Sequence, residues 1–511
     1  MARRVWGSSA APLPLWAAVI VSAFAGLVFT TAFPALGWWF APFVAVPLAL
    51  VSLIGRRWSG ALLVGSVFGA AFFLVNVSFT ARYLGPVPWL ALSFLEALLT
   101  GVAAILIARA YRWVPAAAPG RWARLLLLPA VVAGLWVLRE QWIGTFPYGG
   151  FPWGRIGVTQ VSGPLAELLS WVGMSGVGFV VVLVCAMVVE FLRLGSLRTR
   201  WMLAVPVGAL ALLLLVPAFP TASAGSMRVA AVQGNGPAGY FDERGANSVL
   251  SAQRSATAPV LDEDVDLLLW PEGGIDSDPT NNPATAAILD RLAERLDAPL
   301  LVNAATARGD RYFNTSLLWE AGLGATQSYD KIHPVPFGEY VPDRRVFEML
   351  APDLIGMIQR EYTPGTAAPV ITVDDVPIGL AICFDVIYDD VIWAGIDDGA
   401  QVFMFQTNNA DFRGTDENLQ QLAFARVRAI ETGRAVVNIS TVGTSQVIAA
   451  DGGVIDALPA DVAGAMLTDV PLHTGVTPAI ALGPAIHALL AFGSLAALGA
   501  AGLLSWRRRR V

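Results

Sequence analysis

Cysteine and histidine are scarce in this chain of 511 residues. There are two cysteines, Cys185 and Cys383, and three histidines, His333, His473 and His487. One cysteine lies in an apolar stretch and the other in a polar region, so no disulfide between them is expected. No Cys/His cluster has the spacing of a zinc site, and neither a metal nor a cofactor is expected. Charge is scarce too, at 14% of residues against about 25% in ordinary soluble domains. Hydrophobic residues reach 55% and mean hydropathy is +0.60, which points to a membrane protein. The net charge of −6 and the lack of a long basic stretch exclude a nucleic-acid partner from the reading. The terminal run Arg507 to Arg510 reads as a membrane topology signal. The length suits two to four domains of roughly 100–200 residues each.

A helix needs about 20 apolar residues to cross a bilayer core. Seven candidate spans precede residue 220, at roughly 13–33, 38–54, 60–80, 88–109, 123–143, 165–192 and 202–219, and an eighth covers roughly 482–505. Leu36 to Trp39 forms only a weak break between the first two. The first apolar run is longer than the roughly 7–15 residues of a signal peptide's core, so an uncleaved anchor is expected. Arginines fall in alternate loops: Arg3 and Arg4; Arg56 and Arg57; Arg109, Arg112, Arg121 and Arg124; Arg193, Arg198 and Arg200; Arg507 to Arg510. The intervening loops hold only Arg82 and Arg155. The positive-inside rule then puts both termini in the cytoplasm and the central region outside it. The expected organisation is a transmembrane region at 1–220 with about seven helices, an extracytoplasmic domain at 221–480, and a helix with a basic tail at 481–511.

Residues 226–470 change character. Short β-type runs recur at 227–232, 265–270, 300–303, 315–319, 378–383, 402–406, 435–440 and 445–449. Helical patterns lie at 284–296 and 417–432, the second stopped by Gly433. Strands alternating with helices imply an α/β domain of layered sheets and helices.

Three segments carry chemistry. In the first, the strand-like Leu267-Leu268-Leu269 runs into Trp270-Pro271-Glu272. In the second, Tyr329-Asp330-Lys331-Ile332-His333 leads into Pro334-Val335-Pro336-Phe337-Gly338-Glu339-Tyr340-Val341-Pro342. In the third, the apolar run Gly379 to Ile382 delivers Cys383-Phe384-Asp385. Strand ends are where α/β folds place reactive groups. A thiol attacks well only as thiolate, a carboxylate can take its proton, and an ammonium can stabilise both the thiolate and an oxyanion. Taken singly, each residue also fits a plain role: a core cysteine, a capping glutamate, a solvated lysine.

The order Glu272, Lys331, Cys383 in these contexts resembles the nitrilase superfamily, which implies an αββα sandwich. The Trp-Pro-Glu segment, the Lys-x-His-x-Val-Pro-Phe-Gly-Glu-Tyr-Val-Pro segment and the flanking spans resemble, over nearly the whole chain, the apolipoprotein N-acyltransferases. The resemblance implies a polytopic helical bundle of about eight transmembrane helices joined to a nitrilase-like domain. It also implies transfer of an acyl chain from a phospholipid to the N-terminal amine of a diacylglyceryl-cysteine lipoprotein. Carried over, Glu272 is the general base, Lys331 the thiolate and oxyanion stabiliser, and Cys383 the nucleophile. Glu339 matches a second glutamate that positions base or amine. Gln233, Gly234 and Asn235, then Thr407, Asn408 and Asn409, and then Arg426, Arg428, Glu431 and Arg434 match structural segments. The family often has Cys-aromatic-Glu where this chain has Cys383-Phe384-Asp385, and often Trp where Phe412 stands.

Residues 343–362, with Val346, Phe347, Met349, Leu350, Leu354, Ile355, Met357 and Ile358, fit either core packing or a lid dipping into the interface. The aromatic, glycine-rich loop from Phe146 to Trp153 would support such a lid. Trp153, Tyr340 and Phe412 are the candidate substrate or lid residues. Glu96, Arg139 and Glu140 fall within spans, the last two near the outer end, where they would pair with each other or reach the interface. The other readings are a membrane-bound amidase that passes the acyl group to water, and a non-catalytic membrane scaffold. An intact Glu-Lys-Cys set argues against the scaffold, and seven helices argue against a mere tether. No sign of oligomeric state is present.

Overall fold

The computed structural model describes residues 10–194, 204–243 and 245–508. Arg3, Arg4, Arg198, Arg200, Arg509, Arg510 and the start of the seventh expected span lie outside the described residues. The chain forms two compact units, Met1–Ala218 with Ala481–Val511, and Phe219–Ile480.

The first unit is helical: α1 (Leu15–Thr30), α2 (Pro42–Leu53), α3 (Trp58–Asn76), α4 (Pro86–Ala117), α5 (Leu128–Ile143), α6 (Ala166–Leu194), α7 (Ala204–Leu213) and, after the second unit, α14 (Gly483–Arg507). Among the described residues, four helices are long and apolar enough to cross a membrane: α3, α4, α6 and α14. The weak break at Leu36 is a true one, with turns separating α1 from α2. That division leaves α1 with 16 residues and α2 with 12. Helix length therefore supports a membrane region without establishing eight spans. Arg139 and Glu140 pair at 3.0 Å inside α5, and Glu190 of α6 takes Arg124 at 2.9 Å as well as Arg193. Helices α3 and α4 meet through small residues, which let two backbones approach closely. A Cβ added to Gly65 would lie 2.4 Å from the Ala104 Cβ, and one on Gly69 would lie 2.7 Å from the Ala97 Cα.

The second unit holds β1 (Ala222–Gln233), α8 (Ser248–Thr257), β2 (Leu267–Leu269), α9 (Pro283–Leu296), β3 (Leu300–Arg308), β4 (Arg311–Glu320), β5 (Gly324–Asp330), α10 (Arg344–Leu350) and α11 (Pro352–Met357). It continues with β6 (Val370–Val373), β7 (Val376–Ile382), α12 (Asp389–Asp397), β8 (Val402–Thr407), α13 (Glu417–Thr432), β9 (Val436–Ser440), β10 (Ser445–Ile448), β11 (Val454–Leu458) and β12 (Gly464–Thr474). Two six-stranded sheets run β12-β1-β2-β3-β4-β5 and β11-β10-β9-β8-β7-β6. Successive side chains of a strand point to opposite faces, and the central strands are apolar on both. Val229, Leu267, Leu269 and Leu301 from one sheet pack against Ile378, Leu380, Met404 and Val437 from the other. Ala230, Leu268, Leu300 and Val302 point the other way, onto Leu250 of α8 and Leu289, Ala293 and Leu296 of α9. On the far sheet, α12 approaches so closely that a Cβ on Gly395 would lie 2.9 Å from the Phe403 ring. The layers are thus αββα. Strands β2 and β7, each parallel to a neighbour, end where the chemistry-bearing residues begin.

Candidate active site

Strand β7 ends at Ile382, and Cys383 follows with φ 49°. A positive φ on a residue with a side chain is costly and is kept where the surroundings enforce it. Here Asp385 enforces it. Its buried carboxylate accepts from Tyr329 Oη at 2.8 Å, from the His333 backbone N–H at 2.9 Å and from the Ile382 N–H at 3.3 Å. Arg428 of α13 holds the same turn from behind, donating to Val386 O at 2.9 Å and Ile387 O at 3.0 Å, and pairing with Asp389 at 2.8 Å and Glu431 at 2.6 Å. Phe384 is buried edge-on to Tyr388, 5.3 Å between ring centres.

Glu272 follows β2 across Trp270 and Pro271. Trp270 is fully buried, with its indole N–H on Thr257 Oγ1 at 3.1 Å. Lys331, the only lysine of the chain, follows β5 and is 1% exposed. Its Nζ lies 3.3 Å from Glu272 Oε1 and 2.8 Å from Glu339 Oε2. Glu339 is brought back by the turn at 335–340, where it accepts from the Val335 N–H at 2.7 Å. Asn314 of β4 ties the two carboxylates together, its Nδ2 donating to Glu272 Oε1 at 2.7 Å and Glu339 Oε1 at 2.9 Å. Asn303 orients it, donating to Asn314 Oδ1 at 2.9 Å.

The charges follow from this geometry. Burial pulls the Lys331 ammonium down, but Glu272 and Glu339 more than offset this and hold it well above the usual lysine range. Burial raises Glu272, Lys331 pulls it back, and Glu339 adds to the rise. Burial also pushes the Cys383 thiol well up, and Glu272 pushes it further, while Lys331 acts the other way. The resting sulfur is therefore a thiol. Glu272 can take its proton as the sulfur attacks, and Lys331 can balance the charge that appears.

Reading the sequence missed a second shoulder of the site. Gln421 of α13 donates to Cys383 Sγ at 3.4 Å. Asn409 donates to Gln421 Oε1 at 2.7 Å and to Glu417 Oε2 at 2.8 Å. Burial pushes the Glu417 carboxyl up to about 8, with Asn409 pulling down and Glu272 adding to the rise. Nothing in the order of residues marks Glu417, which opens a helix and has the pattern of a first-turn acid.

Tyr340 and Phe412 are both half-buried in loops of this unit. Trp153 is placed otherwise. It lies in the helical unit, 2% exposed, stacked on Phe151 at 5.6 Å and tilted to Phe79 at 5.2 Å. A side chain so enclosed packs its own unit and has no free face to serve as a lid. Residues 344–357 form α10 and α11, and their apolar side chains divide: Ile355 is buried, while Met349 is 79% and Leu350 74% exposed.

An αββα sandwich that brings a strand-end thiol to a carboxylate and a buried ammonium has the architecture of the carbon-nitrogen hydrolases, and residues 228–476 match that family. Residues 25–187 match the Apolipoprotein N-acyltransferase N-terminal domain. An apolipoprotein N-acyltransferase of Mycolicibacterium smegmatis is 34% identical, over 93% of this chain and 83% of that protein. One from Vibrio vulnificus is 25% identical, over 96% and 97%. The chain belongs to the apolipoprotein N-acyltransferase family. Among solved structures, an amidase from Nesterenkonia sp. is similar over 50% of this chain and 93% of its own, with 19% identity and a TM-score of 0.38.

Proposed function

We propose that this chain is a membrane acyltransferase that carries an acyl group from a phospholipid to the N-terminal amine of a diacylglyceryl-cysteine lipoprotein, through a thioester on Cys383. The observation that carries the chemistry is the placement of Glu272 and Glu339 on one buried ammonium, Lys331, at 3.3 and 2.8 Å, beside a thiol held in a strained turn. In the first half-reaction the sulfur attacks the phospholipid ester carbonyl while Glu272 takes the thiol proton. Lys331 stabilises the oxyanion, and Glu272 returns the proton to the departing lysophospholipid alkoxide. In the second half, the acceptor amine attacks the thioester. Glu272 takes a proton from that nitrogen and delivers it to the leaving thiolate. One nucleophile serving two lipid-borne substrates in turn gives ping-pong kinetics.

The same reading places the chain in the cytoplasmic membrane with eight spans and the catalytic unit outside. Its support is the arginine alternation, together with the meeting of Arg56 and Arg57 with Arg109 and Arg112 around one cavity. The exposed apolar side chains of α10 and α11 suit a lid that touches the lipid surface.

The test is intact-mass analysis of the purified protein after incubation with phospholipid alone. One added acyl mass, mapped to Cys383 and missing from Cys383→Ala, is expected, and Glu272→Gln should fail at this first step. A stable acyl-Cys383 forming at the normal rate in Glu272→Gln removes Glu272 from the base role. Lysophospholipid release that requires the acceptor points instead to a ternary complex. Free fatty acid as the sole product in the presence of acceptor favours the amidase reading.

A further inference from the structure

The contact between α3 and α4 ends in a cluster of charge that the chemistry above does not use. Gly65 and Gly69 lie against Gly101, Ala104 and Ala97 in reverse order, so the two helices run antiparallel. The start of α3, with Arg56, Arg57 and Trp58, therefore meets the last turns of α4, with Arg109, Arg112 and Trp113. A cavity of about 270 Å³ opens between these six side chains. The rest of its wall is apolar, from Ile105 and Ala108.

Among the described residues, four arginines line this cavity and no acidic residue does. Residues 1–218 and 481–511 contain four acidic side chains, Glu96, Glu140, Glu167 and Glu190. Glu190 is taken by Arg124 and Arg193, and Glu140 by Arg139. Among the described residues, no ion pair joins Arg56, Arg57, Arg109 or Arg112 to an acid. Arg56 is 9% exposed and fixed in place. Its Nε donates to Ser52 O at 3.0 Å and its Nη2 to Leu13 O at 2.5 Å. Those carbonyls orient the guanidinium without cancelling its charge. Arg109 lies over the Trp113 ring at 5.2 Å. Arginines that only mark topology need to be on one side of the membrane and hydrated. They do not need a shared cavity, a buried member or two indoles as walls. Like charges gathered this way are favoured by an anion that meets several of them together, and a phosphate accepts planar, two-pronged bonds from guanidinium groups.

We propose that this cavity binds a phosphate group, carried by an anionic phospholipid of the surrounding leaflet. The indoles and the apolar wall suit a headgroup at the membrane surface, where tryptophan is favoured, better than an anion drawn from water. The assignment is independent of the thioester chemistry and of the acyl donor.

The full-length protein is reconstituted into nanodiscs of phosphatidylcholine, with or without phosphatidylglycerol. Lipid retained after gentle detergent extraction is counted by native mass spectrometry, and the thermal midpoint is measured in parallel. The wild type is expected to retain phosphatidylglycerol in preference to phosphatidylcholine and to gain thermal stability as its fraction rises. R57Q/R109Q/R112Q, which spares the anchored Arg56, should lose about tenfold or more of that preference. If the triple variant does not fold, R112Q alone should show a smaller loss. Equal retention by wild type and a folded variant overturns the proposal. Inorganic phosphate or glycerol phosphate that stabilises the wild type in phosphatidylcholine discs and displaces phosphatidylglycerol overturns the lipid source in favour of a soluble anion.

Discussion

The positive φ of Cys383 ties reactivity to one position rather than to the element. Cys383→Ser keeps the shape but offers a hydroxyl that Glu272 cannot ionise usefully near neutral pH. Turnover should fall by roughly 10³-fold or more, measured as amide product formed. Cys185, buried in α6 with its sulfur 3.9 Å from Pro42 O, should be replaceable by alanine with activity largely retained. An equal loss in the two variants would reverse the assignment. Asn314 bridges both glutamates, and a hydrogen bond to a charged group is worth about 1.5–3 kcal/mol. Asn314→Ala should therefore slow the first half-reaction by roughly 10- to 100-fold, and a change below threefold would leave Asn314 a packing residue. Glu417 gives a stability prediction. Its proton is held more tightly folded than unfolded, with the carboxyl raised from 4.5 to about 8. Its contribution is thus complete below pH 4.5 and is lost as pH climbs through about 8. Glu417→Gln keeps an oxygen for Asn409 and cannot ionise. Its thermal midpoint should match the wild type near pH 5 and exceed it by several degrees near pH 9. Parallel curves would show that Glu417 does not titrate in this range. Glu272 and Cys383 were legible because each follows an apolar strand at its end, and Lys331 because it opens the segment running through Glu339 to Pro342 that carries the resemblance. Asn314, Gln421 and Glu417 were not, because polar residues on a strand or helix look the same in sequence whether they meet solvent or a thiol.

At the level of elements, the strands that were legible and those that were not divide by position. The apolar runs read from the sequence became β1, β2, β3, β4, β7, β8, β9 and β10, and the strands not foreseen are β5, β6, β11 and β12. These are the four outer edges of the two sheets. A central strand here is covered on both faces and reads as a continuous apolar run. An edge strand keeps one side toward solvent and carries polar residues, as Thr326, Gln327 and Ser328 do in β5, so its signal fades. Helix α13 was legible to its last residue, since Gly433 takes φ 64° and stops it. Helices α10 and α11 left core packing and lid both open in the sequence, and the structure divides them, with Ile355 buried and Met349 and Leu350 exposed. Met349→Asp/Leu350→Asp should raise KM for bilayer phospholipid by roughly tenfold, since a charge resists entering the interface, while the thermal midpoint stays within a degree or two. An unchanged KM would make these helices bystanders.

For the whole molecule, topology is the quantity to measure. Asp310 sits in the exposed turn between β3 and β4. A cysteine introduced there, in a background lacking Cys185 and Cys383, should react with a membrane-impermeant maleimide in spheroplasts. Labelling seen only after the membrane is opened would place the catalytic unit in the cytoplasm. The single buried lysine has a consequence for the molecule as a spectroscopic object. With 32 arginines and one lysine, protein grown on isotope-labelled lysine carries one side-chain reporter in 54.1 kDa. Its ammonium signal needs no assignment and comes from within the site. Acylation of the neighbouring thiol, and any opening that lets solvent exchange its protons, would be read from one resonance.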